Sequence, residues 1–239
     1  GRGHEVHLLT YAHGIGADPE GLTLHRCAHI PGLRRTAAGP SFWKPLADAA
    51  LVAAIRRLVR ERNIELVHAH NYEGLLTAWA ALRGLGKKNI PLVYHAHNAM
   101  VDELPYFLPR ISGAADFGRW LDRVLPRRAD AILAPHRALG EYLTACGCGS
   151  DAVFIAPPAC DASLFDAAYH APPAAAPVVL YMGNLDAYQN LPLLGRAMER
   201  VRRSLPEAVL CVATAAPITP AALHPLEPCE VAATPDLDA

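Results

Sequence analysis

The sequence has little lysine and no paired cysteine motif. Of its 22 basic residues only Lys44, Lys87 and Lys88 are lysines, and the formal net charge is -1. That leaves no basic field to draw in a polyanion, so nucleic-acid binding is not expected. Six cysteines are scattered (Cys27, Cys146, Cys148, Cys160, Cys211 and Cys229), and none forms Cys-x-x-Cys. This argues against zinc-knuckle and thioredoxin-like chemistry. A chain of 239 residues does not need disulfides, so the cysteines read as reduced thiols in a cytoplasmic protein. No apolar run approaches the roughly 18 residues that span a bilayer. No signal-peptide pattern opens the chain, and no initiator Met does either.

What is present is core material. Hydrophobic residues make up 52% and charged residues 19% of the chain, a globular composition. Short apolar runs, read as strands, fall at 4–10, 22–27, 64–69, 91–96, 130–134 and 152–156. Helical patterns fall between them at 46–62, with Pro45 in the first turn, and at 73–83, 114–128 and 136–146. Gly14 and Gly16 mark a loop. Strands alternating with helices predict an α/β domain whose parallel sheet is covered on both faces. The proline- and alanine-rich stretch 156–177 reads as a linker. After it, a strand at 178–184, a helix at 190–204 and a strand at 208–213 open a second Rossmann-like unit. The expected domains are 1–172 and 173–239. The tail from Thr214 shows no periodicity, and two strands cannot bury a core alone, so the second unit is expected to be incomplete.

Two motifs carry chemistry in the first unit. His68-Ala69-His70-Asn71 ends one predicted strand, and His95-Ala96-His97-Asn98 ends the next. Residues i and i+2 of a strand share a face, and parallel sheets bind ligands at their carboxyl ends. The plain alternative is that His68 and His95 pack inside the strands and only His70 and His97 emerge. A metal is the rival use of His-x-His, but it needs further ligands on later strands. Asp130 begins its strand instead of ending it, so no structural metal is expected. Asp102-Glu103-Leu104-Pro105-Tyr106 reads as a loop above the sheet edge, where Glu103 binds hydroxyls or acts as base, or is simply solvated. In the second unit, Gly183-Asn184 follows a strand and Asn190 opens a helix. Such a turn is an anion site through free N–H groups and the helix dipole, although many such turns bind nothing.

In order along the chain, these segments resemble the family-4 retaining glycosyltransferases. GRGHEVHLLT resembles that family's second strand, and ELVHAHNYEG and PLVYHAHN its next two. RRADAILAPHRALGEYL resembles its Ala-Asp strand and helix. VFIAPPACDASLFDA resembles its hinge, with Asp161 and Phe165 in place, and VVLYMGNLDAYQNLPLLGRAM resembles the start of its donor domain. The likeness covers roughly residues 1–213. It implies a GT-B fold of two Rossmann-like domains and metal-independent transfer from a nucleotide-activated sugar with retention. The nucleotide sugar is then a co-substrate, with no separate cofactor, and the acceptor is a glycan or glycolipid. Peripheral contact with the inner membrane face follows from such an acceptor.

By motif position, His97 matches the family histidine near the reacting sugar. His95, Asn98, His70, Asn71 and Glu103 fall on the acceptor and sugar side, and Gly183, Asn184, Gln189 and Asn190 on the donor side. The sequence departs from the family in three ways. The earlier strand with its glycine-rich loop is absent. Asn184 and Gln189 stand where an Arg and a Lys usually neutralise the diphosphate. The later Glu-x7-Glu motif lies beyond the chain. The polypeptide alone is therefore expected to be inactive. The competing expectation is a degenerate or truncated GT-B module that binds sugar or partners without turnover.

Overall fold

The computed structural model describes residues 3–13, 21–30, 43–83, 85, 90–159, 176–185, 189–214, 223, 226 and 231–234. The Gly14 and Gly16 loop, Asp161, Phe165 and most of the predicted linker lie outside the described residues. The chain divides into two compact units, Gly1–Ala159 and Cys160–Ala239. The boundary expected at 172/173 also falls outside the described set.

In the first unit, β1 (His7–Thr10) pairs in parallel with β2 (Thr23–Arg26). A separate four-stranded parallel sheet has the order β3 (Val67–His70), β4 (Leu92–His95), β5 (Ala131–Ala134) and β6 (Val153–Ile155). Helices connect them: α1 (Lys44–Glu61), α2 (Asn71–Arg83), α3 (Met100–Phe107), α4 (Ala114–Val124) and α5 (Arg137–Ala145). Pro45 stands in the first turn of α1, where its missing N–H costs nothing. The helix buries Ala47, Leu51, Ala54 and Leu58 along one stripe.

Period-2 alternation decides which face of the four-stranded sheet is covered. Ala69, Leu92, Tyr94, Ile132 and Ala134 are buried together with Tyr72, Leu75 and Ala78 of α2 and Leu139 and Leu143 of α5. Leu75 is fully buried, and such a side chain contributes about 2 kcal/mol. The opposite face carries His68, His70 and His95 and ends in His97. His68, His70 and His97 are exposed. The sheet is therefore not covered on both faces among the described residues, which corrects the expectation from element order. Alternation of histidine with Val67, Ala69, Leu92 and Tyr94 is the pattern of a half-covered sheet, whereas strands covered on both faces are apolar throughout.

Two further expectations need correction. The segment 102–106 is not a loop but belongs to α3. Pro105 lies inside this helix, yet in eight residues it removes only one internal hydrogen bond. The helix has no side-chain cap of its own at Ala99. Instead Asp122 of α4 accepts from the N–H groups of Met100 at 2.9 Å and Val101 at 3.0 Å. A tertiary cap thus outweighs the local signal. Gly118 permits this packing, because a Cβ there would overlap the Met100 carbonyl. The second correction is in the tail. Val231–Thr234 forms β9, which pairs in parallel with β8 (Val209–Ala213), itself paired with β7 (Val178–Met182). Among the described residues the sheet of the second unit thus has three strands, where two were expected. A four-residue strand is too short to show a period. Helix α6 (Leu191–Ser204) buries Leu191 and Met198 against Leu210, Val212 and Leu226.

Candidate functional site

The parallel register places His70 beside His95. His68 lies on the same face two residues back, and His97 emerges two residues beyond His95. Ring centroids are 4.6 Å apart for His68 and His70, 4.9 Å for His70 and His95, and 5.2 Å for His95 and His97. The four imidazoles form one cluster. The plain alternative that His68 and His95 pack inside the protein does not hold for His68, which is exposed. His95 is half-buried, and its Nδ1 is buried without a hydrogen-bond partner. Loss of water around the rings holds His68, His70 and His97 below the ordinary imidazole pKa. Repulsion from neighbouring rings adds to the effect: His95 on His68, His68, His95 and His97 on His70, and His95 on His97. These three rings are neutral at pH 7, with lone pairs available.

Just beyond the cluster, Asn98 donates a side-chain hydrogen bond to Glu103. Burial pushes the Glu103 carboxyl above its usual range and Glu73 raises it further, while the Asn98 bond and Lys44 oppose the rise. Lys44 is paired with Glu73. Close by, the Tyr11 hydroxyl donates to Asp48 Oδ1 at 2.5 Å. The result is a polar rim of Asn98, Glu103, Glu73 and Lys44 at the carboxyl end of the sheet, next to a neutral imidazole group. It can hold hydroxyl groups and a partial positive charge.

Asn71 has φ 60° and opens α2 in the left-handed region, with its Oδ1 accepting from the Tyr72 N–H at 2.7 Å. Asparagine is among the few residues that tolerate this backbone, so the position has a structural reason independent of any ligand.

The second unit places Gly183, Asn184, Gln189 and Asn190 at the turn from β7 into α6. Gly183 N–H donates to the Ala213 carbonyl at 3.1 Å. Gln189 Nε2 donates to Asn184 Oδ1 at 3.1 Å, and the Tyr181 hydroxyl donates to the Asn184 carbonyl. These two neutral side chains thus hold each other. Asn190 is left-handed at the N-cap of α6 and makes no side-chain cap. Lys44, Glu73 and Asp122 were not singled out from sequence. Only Asp122 left a signal: Ala114, Gly118 and Asp122 fall at i, i+4 and i+8, so an acid sits on the buried stripe of α4.

An α/β chain with two Rossmann-like units, a polar site at the carboxyl ends of the first sheet and a strand-to-helix turn in the second has the architecture of a GT-B glycosyltransferase. The model of Glycosyltransferase Family 4 matches residues 1–164, and the chain belongs to that family. No curated protein matches it. Among solved structures it is similar to Anabaena HepE in complex with UDP and glucose, at 16% identity over 89% of this chain and 55% of that one, with a TM-score of 0.57. It is also similar to a glycosyltransferase from Rickettsia africae, at 10% identity over 91% of this chain and 56% of that one, with a TM-score of 0.54. A third is the lipopolysaccharide outer core galactosyltransferase WaaB, at 15% identity over 90% of this chain and 53% of that one, with a TM-score of 0.51. The chain spans about half the length of these structures. At these identities the likeness establishes the GT-B fold.

Proposed function

We propose that the protein to which this chain belongs is a retaining hexosyltransferase that moves a sugar from a nucleotide diphosphate donor to a glycan or lipid-linked acceptor. The observation that carries the reading is the placement of His97, Asn98 and Glu103 together at the carboxyl end of the first sheet, in a family-4 chain. The C1–O bond to the diphosphate breaks and a C1–O bond to the acceptor hydroxyl forms. The acceptor proton goes to an oxygen of the leaving diphosphate, so no separate base is needed. His97, held neutral, orients the sugar and disperses charge at the reacting carbon without adding a positive charge of its own. Asn98 and Glu103 orient acceptor hydroxyls. Gly183 and the first turn of α6 offer N–H groups to the diphosphate.

The test is sugar transfer by the complete gene product, supplied with nucleotide hexoses and an acceptor, with the anomeric configuration of the product read by NMR. His97→Ala is expected to lower turnover by about 10²–10⁴, the range of a lost polar catalytic group. Unchanged turnover removes His97 from the site, and an inverted product overturns retention. A second reading is a module that binds a nucleotide sugar without transfer. Asn184 and Gln189, neutral amides bonded to each other at this turn, favour it. Binding of donor with no product from the complete protein decides for it.

The working place we infer is the cytoplasmic membrane face. No described helix is long and apolar enough to cross a membrane. On α4, however, Phe117 and Trp120 stack at 5.6 Å and each is 53% exposed. Arg119 and Arg123 lie on the same helix, which suits an anionic lipid surface.

A further inference from the structure

We propose that the chain binds one divalent transition-metal ion, of the zinc class, through His68, His70 and His95 on the open face of the four-stranded sheet. One ligand atom from each residue lies within 4.8 Å of the others. Three imidazoles around a tetrahedral zinc ion, with Zn–N of about 2.0–2.1 Å, have their nitrogens about 3.4 Å apart. Closing the remaining gap takes small side-chain rotations. His68 and His70 are exposed and free to make them.

Two observations beyond proximity point to a ligand. The Nδ1 of His95 is buried and has no hydrogen-bond partner, and such atoms are uncommon unless something absent completes them. The donor set is all imidazole, which selects zinc, copper or nickel over magnesium or calcium. His97, at 5.2 Å from the His95 ring and 5.7 Å from that of His70, flanks the site. The His-x-His spacing alone does not predict a metal, for want of ligands on later strands. Here the third ligand comes from the neighbouring strand, through the alignment of His70 with His95.

The site does not depend on the transferase reading, and its test uses binding alone. The full chain, without a histidine tag and stripped by chelator, is titrated calorimetrically with zinc chloride. Cobalt(II) serves as a spectroscopic probe of coordination. One ion per chain is expected, with the intense visible absorption of four-coordinate cobalt. His70→Ala is expected to weaken zinc binding by more than about 100-fold, beyond the 10–100-fold typical of a lost outer-shell partner. His4→Ala, on an exposed residue outside the cluster, is expected to leave binding unchanged. Because His70 is exposed, circular dichroism of His70→Ala is expected to match that of the parent chain. If it does not, His68→Ala replaces it. The proposal is overturned if either cluster variant binds zinc within 10-fold of the parent, if His4→Ala weakens binding as much as the cluster variant, or if magnesium competes at equal concentration.

Discussion

Removing the Asp122 carboxylate tests the internal frame of the first unit. Asp122 is fully buried and accepts from four donors: the hydroxyls of Tyr72 and Tyr142 and the N–H groups of Met100 and Val101. Its burial and its partners also hold both tyrosine hydroxyls protonated, since loss of water and the neighbouring carboxylate push their pKa values far up. Hydrogen bonds to a charged group contribute about 1.5–3 kcal/mol each, so four would sum to about 6–12 kcal/mol if every donor were stranded. They are not all stranded. Tyr142, Met100 and Val101 are only half-buried, so water reaches their groups once the carboxylate is gone. Tyr72 alone is buried. We therefore expect Asp122→Ala to destabilise the unit by about 3–5 kcal/mol, the loss of one or two bonds to a charged acceptor with the Tyr72 hydroxyl left stranded. Asp122→Asn keeps one acceptor oxygen but turns an NH2 toward a donor, and is expected to cost about half as much. Urea unfolding gives the loss of stability, and hydrogen exchange gives its location, with protection falling first at the amides of Met100 and Val101. A loss below about 1 kcal/mol, or unchanged exchange in α3, would refute the reasoning.

Glu103→Gln is expected to stabilise the fold at neutral pH. Its folded carboxyl titrates above the ordinary range, so the parent loses stability as pH rises from the ordinary carboxylate value through the raised one, and the amide does not. Melting temperatures should coincide in acid, where Glu103 is protonated in both states, and diverge above; divergence in acid only would reverse the sign. The paired change Phe117→Ala with Trp120→Ala should weaken binding of the complete protein to anionic vesicles by at least about 10-fold, read by co-sedimentation, with no change on neutral vesicles. Equal loss on both lipids would mean that the aromatic pair serves folding instead.

The strands and helices were legible where period and length agreed. The buried stripe of α1 and the positions of β3 and β4 read directly, but the half-covered face did not, because strands alternating with helices imply cover on both sides. Helix α3 was not legible, because its first turn is capped from α4, 22 residues away at Asp122, and no local pattern encodes that. Strand β9 was not legible because four residues carry no period. The histidine cluster was half legible. Two His-x-His endings are visible in sequence, but only the register of β3 against β4 makes them one group. Sequence position also says nothing of why a residue is there. Asn71 and Asn190 match donor- and acceptor-side positions, yet both adopt positive φ, so their identity is accounted for by backbone conformation before any ligand is invoked.

The donor turn separates the two functional readings most sharply. The family resemblance leads one to expect two cations where this chain has Asn184 and Gln189, and here those side chains bond each other through Gln189 Nε2 and Asn184 Oδ1 at 3.1 Å. A diphosphate at this turn rests on N–H groups, a helix dipole and neutral donors. Gln189 uses one of its two amide N–H groups on Asn184 and keeps the other as a donor. A neutral hydrogen bond contributes about 0.5–1.5 kcal/mol net, against about 1.5–3 kcal/mol for one with a charged partner. Two charges restored at the turn should therefore strengthen binding by about 2–3 kcal/mol at most, about 30- to 160-fold. Asn184→Arg with Gln189→Lys in the complete protein is the test, with UDP titrated calorimetrically at several salt concentrations. Tighter binding with a steeper salt dependence supports a cation-poor diphosphate site, because the added charge pairs are the ones that salt screens. Unchanged or weaker binding means that the turn is neutralised from elsewhere or holds no diphosphate, and the transferase reading then loses its donor site.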